Sequence, residues 1–172
     1  VTALSQRFGV DGPQAQRVSI SADGHTVGLA PSSTQSPSLS LIAESGQVSL
    51  RLAAAPDQAL ISGDEHRLLQ VFANLISNAI KFSPPGGSVE IRIERRFDHW
   101  RVAVHDHGRG IPDAFRQHIF QRFAQADASD TREKGGTGLG LSITKAIVER
   151  HDGEVDYTSV PGDTEFFFTL PA

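Results

Sequence analysis

Apolar and polar positions change rhythm several times along this chain, and each rhythm predicts an element. From Gln47 onward Val48, Leu50 and Leu52 alternate with Ser49, Arg51 and Ala53, the period of a half-buried strand. Asp64 after Gly63 is placed to cap a helix, and the apolar-rich stretch from His66 to Phe82 runs until Pro84-Pro85-Gly86-Gly87 stops it. Leu68, Leu69, Val71, Phe72, Leu75, Ile76, Ala79 and Ile80 make most of that helix's circumference apolar. One polar stripe interrupts it: Gln70, Asn74, Asn78 and Lys81, spaced by steps that keep them on a single face. Val89, Ile91 and Ile93, then Trp100, Val102 and Val104, alternate about Phe97-Asp98-His99 as a hairpin, and Asp106 falls at the end of its second strand.

Further along, Pro112 suits a first helical position, opening a short amphipathic piece through Phe120. The polar stretch Ala124 to Lys134 predicts a mobile loop. A helix follows from about Leu141 to Arg150 with Ile143, Ala146 and Ile147 on its apolar side, and two strands, Glu154 to Ser159 and Thr164 to Leu170, turn at Pro161-Gly162-Asp163. Strand, helix, hairpin, loop, helix and hairpin in that order predict a two-layer α/β sandwich spanning 47–172. Residues 1–46 differ: they are rich in Ser, Gln, Gly and Pro and read as a poorly defined segment, with a hairpin over Arg17 to Leu29 around Ala22-Asp23-Gly24 and a linker at Pro31 to Pro37.

Composition narrows the classes. A hydrophobic share of 38% over 172 residues supports one domain with a true core. Without cysteine there is no disulfide framework or thiolate metal site, as expected of a cytoplasmic protein. No apolar run approaches the roughly 18 residues that span a bilayer. A net charge of -4 with both signs interspersed argues against nucleic acid or an anionic membrane as partner, so any phosphate binding must be local. The start at Val1 rather than Met fits a fragment of a longer protein, whose own membrane anchoring stays open.

Four blocks then carry chemistry: Asn74 to Lys81, Asp106 to Gly110, Phe120 to Phe123, and Gly135 to Leu141. Magnesium on a triphosphate is octahedral, keeps several waters and takes one or two protein oxygens, which the neutral amide oxygen of Asn78 can supply. Asn74, one turn earlier, can donate to a phosphate or a metal-bound water, and Lys81 can set a cation on the phosphate chain; the bland alternative is a satisfied polar seam. Asp106 offers an acceptor to the exocyclic amine of adenine, and Gly108 and Gly110 allow the backbone to approach a flat ring, although an ordinary Asp-Gly turn reads the same way. Gly135, Gly136, Gly138 and Gly140 can turn N–H groups toward phosphate oxygens at a helix N-terminus, with Thr137 adding a hydroxyl, and the same glycines would serve as a hinge. Phe123 would pack the base of the loop as a lid, with Arg132 or Lys134 reaching the phosphates.

From about residue 47 to 171 the chain resembles the catalytic, ATP-binding domain of bacterial sensor histidine kinases, within the GHKL superfamily. The four blocks are similar, in order, to that family's N, G1, F and G2 boxes, and the stretch Phe123 to Asp127 with Ser129, Thr131 and Arg132 to the lid of hybrid-type kinases. The resemblance implies the Bergerat ATP-binding fold: a mixed, mostly antiparallel sheet with helices on one face. It also implies a nucleotide site of Asn74, Asn78, Lys81, Asp106, Gly108, Gly110, Ile111, Phe123, Arg132, Gly136, Thr137, Gly138, Leu139, Gly140 and Leu141, with ATP and Mg as ligands and Asn78 holding the metal. Gln125 stands where many family members carry an arginine that reaches the γ-phosphate.

Family members that hydrolyse ATP place a glutamate one turn before the metal-binding asparagine. Here that position is Asn74, and an amide takes no proton from water at neutral pH, which favours phosphoryl transfer over hydrolysis. The implied acceptor is a histidine in a preceding helical dimerisation domain, with a response regulator downstream. None of His25, His66, His99, His105, His107, His118 and His151 has that family's sequence setting, so the phosphoacceptor lies outside this chain. His105 and His107 flank Asp106 but alternation sends them to the opposite face, against a metal site there. A non-catalytic nucleotide-binding module and an anti-sigma-type serine kinase are the competing readings.

Overall fold

The computed structural model describes residues 18–22, 26–31, 39–43, 48–54, 59–125 and 137–172. Six strands form the main sheet: β3 (Leu39–Ala43), β4 (Val48–Ala54), β6 (Ser88–Arg96), β7 (His99–Asp106), β8 (Val155–Val160) and β9 (Asp163–Pro171). Their order is β3-β4-β6-β7-β9-β8, antiparallel throughout except for the parallel pair β4–β6. Two long helices, α1 (Glu65–Phe82) and α3 (Gly140–Arg150), pack on one face, and the short α2 (Asp113–Arg116) follows β7. The expected two-layer α/β sandwich is what the chain forms.

Alternation builds the core. Val89, Ile91 and Ile93 of β6 meet Trp100, Val102 and Val104 of β7 and Phe166, Phe168 and Leu170 of β9, all buried under Leu68, Val71, Phe72, Leu75 and Ile76 of α1 and Ile147 and Val148 of α3. Phe72 and Phe168 meet edge to face with centroids 5.4 Å apart, a geometry worth about 1 kcal/mol beyond the area it buries. The opposite face of the sheet carries charges paired along and across strands: Glu90 with Arg51 and Arg92, Glu94 with Arg96, and Arg101 with Glu165. Ala103 lies in register between Arg92 and Phe167, whose long side chains account for its burial on that face.

Several local expectations shift. The hairpin read over Arg17 to Leu29 is present as β1 (Val18–Ala22) against β2 (Thr26–Pro31), although its turn lies outside the described residues. A strand the pattern did not announce, β5 (Ala59–Ser62), pairs with β2, and β3 lines the main sheet ahead of Gln47. The linker read at Pro31 to Pro37 falls almost wholly outside the described residues, as does most of the polar loop from Ala124 to Lys134. The β6–β7 turn tightens to Phe97-Asp98, with Phe97 at φ 54°. Pro112 is the residue before α2 rather than its first, and α2 ends at Arg116 instead of running to Phe120, because only Ile119 of that stretch is fully buried. On α3 the inward positions are Thr144, Ile147 and Val148, and Ala146 is exposed.

Candidate functional site

The polar stripe of α1 meets the start of α3 at Asn74, whose side chain reaches Gly140 and Thr144. Asp64 caps α1 by accepting from the Arg67 N–H at 3.1 Å, and at the other end Ser83 donates its hydroxyl to the Ala79 carbonyl at 2.8 Å. Pro84 and Pro85, lacking N–H groups, prevent continuation. The stripe is thereby held between fixed ends. Asn78 is half-buried, and its amide makes no hydrogen bond to any described residue. Lys81 lies in the last turn with its ammonium 5.1 Å from the Phe82 ring centroid.

Asp106 is 4% exposed at the end of β7, and its Oδ1 accepts from the Gly108 N–H at 2.8 Å. No other described residue bonds the carboxylate. Burial pushes its carboxyl above the ordinary value, and the Gly108 N–H pulls the other way. Gly108 cannot be anything larger: a Cβ there would stand 2.5 Å from the Phe82 carbonyl oxygen and 2.8 Å from Asp106 Oδ1. This packing sets the loop hard against the end of α1. A cavity of about 340 Å³ opens at the seam, lined by Phe82, Ser83, Pro84, Pro85, His107, Gly108 and Arg109, a volume at the small end for ligand pockets.

The β8–β9 turn buttresses this loop, which the sequence did not disclose. Gly162 N–H donates to the Gly108 carbonyl at 2.8 Å, and His107 Nδ1 donates back to the Gly162 carbonyl at 3.2 Å. Ser159 Oγ accepts from the Ile111 N–H at 2.9 Å and lies 2.8 Å from Thr164 Oγ1, both hydroxyls buried. Arg116 adds a bond to the Ser159 carbonyl at 2.7 Å. Gly110, at φ 81°, packs with its would-be Cβ 3.0 Å from Val160 backbone atoms. Ser159→Ala therefore leaves the Ile111 N–H and the Thr164 hydroxyl without their partner; we expect adenosine affinity to fall about threefold to tenfold with a loss of about 1–2 kcal/mol in unfolding free energy, read by calorimetry and urea melts. Equal adenosine affinity in the variant would show that the buttress does not set the loop.

At the third corner, Phe123 and Gly138 cross. Phe123 N–H donates to the Gly138 carbonyl at 2.9 Å, both residues sit at positive φ (63° and 68°), and a Cβ on Gly138 would come within 2.9 Å of the Phe123 Cα. The Phe123 ring itself is 72% exposed, so it packs against no described lid residue. Beyond the crossing, α3 begins at Gly140 with Leu139 ahead of it and no side-chain cap, so its first amides, from Gly140 and Leu141, have no intrahelical partner. Thr137 is exposed beside them. Arg132, Gly135 and Gly136 lie outside the described residues.

Asn74 reaches across to α3. Its Nδ2 donates to the Gly140 carbonyl at 3.1 Å and to Thr144 Oγ1 at 3.4 Å, so the N–H groups aimed by the sequence reading at a phosphate are turned on α3. His151, read as an ordinary surface residue, instead bridges the ends of both helices: Nδ1 donates to the Ile147 carbonyl at 2.8 Å and Nε2 accepts from the Asp64 N–H at 3.0 Å. The His105 and His107 rings meet edge to face at 4.6 Å, and His105 Nε2 pairs with Asp163 at 2.6 Å. Among the described residues no cluster of three or more His, Asp or Glu side chains could hold a metal ion. Phe82, 37% exposed with the Arg109 guanidinium 5.7 Å from its centroid, offers a flat face beside Gly108 that the sequence reading passed over as a helix end.

Comparison with known proteins covers the same stretch of the chain. Residues 63–172 match the model of the histidine kinase-, DNA gyrase B- and HSP90-like ATPase family. The probable sensor histidine kinase TcrY of Mycobacterium tuberculosis is 43% identical over 116 residues, 67% of this chain and 24% of that protein. The circadian input-output histidine kinase CikA of Synechococcus elongatus is 44% identical over 104 residues, 60% of this chain and 14% of that protein. The chain thus spans a quarter or less of the length of these relatives. Among solved structures, the catalytic domain of the histidine kinase ThkA superposes with a TM-score of 0.64 at 28% identity, covering 74% of this chain and 81% of that one. Full-length ShkA, solved in complex with AMPPNP, gives 0.62 at 29% identity over 74% of this chain and 26% of that one.

Proposed function

Since the chain belongs to the histidine kinase-, DNA gyrase B- and HSP90-like ATPase family, we propose that it is the ATP-binding catalytic domain of a sensor histidine kinase. It takes Mg-ATP and passes the γ-phosphoryl group to a histidine on a separate helical dimerisation domain, from which a response regulator is served, in the cytoplasm. The observation that carries this reading is Asp106: a buried carboxylate with one oxygen committed to Gly108 and the other without a described partner. A half-satisfied buried carboxylate calls for a donor, and the exocyclic amine of adenine is one. The AMPPNP bound by ShkA is an adenine triphosphate analogue, which supports the same choice.

The residues divide the work. Asp106 and Gly108 orient the base, the first amides of α3 and Lys81 hold phosphate oxygens, and Asn78 holds the magnesium. Magnesium held there would neutralise charge on the phosphates, and the bond that breaks is the one to the leaving ADP oxygen. An imidazole nitrogen of the acceptor attacks phosphorus in line, and the protein's part is positioning and electrostatics. An amide at 74 supplies no base to activate water from that position.

A calorimetric titration with Mg-ATP, following free phosphate in the same sample, tests this. Saturable binding with negligible phosphate release, and an acid-labile phosphohistidine once a dimerisation domain from a relative is added, is the expected result. Steady phosphate release by the chain alone would replace the kinase reading with an ATPase, and absence of binding would remove the nucleotide reading altogether.

A further inference from the structure

The helices that carry the two halves of the phosphate site, α1 and α3, are joined by side chains independently of any ligand. At one end the His151 imidazole links the Asp64 N–H to the Ile147 carbonyl. Nearer the site, Asn74 spends both amide hydrogens on α3, at the Gly140 carbonyl and at Thr144 Oγ1, and Thr144 is completely buried. Gly140 is the first residue of α3, and Asn78 stands one turn beyond Asn74 on the same stripe.

We infer that Asn74 is a positioning residue, a clasp that fixes the first turn of α3, and with it the amides offered to phosphate, at a set distance from Asn78. The inference rests on the nucleotide reading and assigns Asn74 a task within that site other than touching the ligand. The chemistry of the contact requires an amide. Alanine removes both donors, and a carboxylate of the same size would set an oxygen against the Gly140 carbonyl, replacing that attraction with a repulsion while the Thr144 hydroxyl turns to donate. An acid at this position thus weakens the clasp at Gly140, so a water-activating base here would loosen the chain's own phosphate cradle.

The test compares Asn74→Ala, Asn74→Asp and Thr144→Val with the unaltered protein, by hydrogen exchange without nucleotide and by calorimetry with Mg-ATP and with adenosine. The Ile143 amide, bonded to the Leu139 carbonyl at 3.0 Å, reports the first turn of α3. Both Asn74 variants should speed its exchange about tenfold before any ligand is added and weaken Mg-ATP about fivefold to tenfold, with adenosine unaffected. Thr144→Val should act in the same direction more weakly, and combining it with Asn74→Ala should add little, because the two residues share one interaction. Unchanged exchange with lost Mg-ATP affinity would make Asn74 a direct ligand contact and overturn the clasp. Tighter Mg-ATP binding by Asn74→Asp, as from an added metal ligand, would do the same. Were the unaltered protein to bind no Mg-ATP, the nucleotide reading would fail while the exchange of Ile143 still decided the clasp.

Discussion

Asn78→Ala will abolish magnesium-dependent ATP binding, lowering affinity about 100-fold or more, and will leave the fold as stable as before. The asymmetry follows from where the side chain sits. It is half-buried on the stripe of α1 and bonds no described residue, so truncation orphans none of them. Alanine is also the better helix former, by up to about 0.7 kcal/mol, so the melting temperature should hold or rise slightly. The loss should vanish when magnesium is chelated, because without the ion the amide oxygen has no partner to lose. Calorimetry with ATP in magnesium and in chelator, beside a thermal melt, separates these arms; equal Mg-ATP affinity in the two proteins would sink Asn78 as the metal ligand.

The second large effect belongs to Asp106. Asp106→Asn keeps the shape, and the amide oxygen takes over the Gly108 N–H, which leaves an NH₂ where the free carboxylate oxygen had been. An acceptor becomes a donor facing the adenine amine. Losing a charge-assisted bond of about 1.5–3 kcal/mol lowers ATP affinity roughly 10- to 100-fold, whereas guanine, with a carbonyl at that edge, should lose far less. Competition between ATP and GTP measures this, and an equal loss for both would indicate damage to the fold. Acid should mimic the substitution. Burial holds the Asp106 carboxyl above its ordinary value, so adenosine binding should weaken as the pH falls through that raised range, and Asp106→Asn should lack the transition.

The stability of the free protein carries the opposite sign. In the window between the unfolded and folded values the unfolded chain is already ionised while the folded carboxyl keeps its proton, so stability declines as pH rises through it and stays lower above. Asp106→Asn removes that cost, and urea melts at neutral pH should find the variant no less stable than the parent.

The sequence announced what periodicity and punctuation encode. The Asp64 cap, the α1 stripe and the proline stop lie in consecutive residues, and the β6–β7 and β8–β9 strands alternate cleanly, so these elements stand where the pattern put them. Contacts between segments far apart in the chain left no such trace. Ser159 and Thr164 read as unremarkable strand residues until β8 and β9 bring them under Ile111, and nothing near Asn74 reveals that Gly140 and Thr144 will arrive beside it. Phe82 was legible only as the last residue of a helix, because its role depends on Gly108 packing against its carbonyl. β5 was missed for another reason: a four-residue strand is shorter than the span over which alternation becomes a signal.

The crossing of Phe123 and Gly138 has a bearing on how such a domain tolerates change. Two residues at positive φ, bonded to one another and too tightly packed for a side chain on Gly138, close the neck of the segment between them regardless of what that segment contains. Lengthening a closed loop is thermodynamically mild, about 0.6 kcal/mol for each doubling. Added length between Ala124 and Thr137 therefore need not move Asp106, Asn78 or the start of α3, and a reporter peptide could be spliced in there with the sheet and its helices undisturbed.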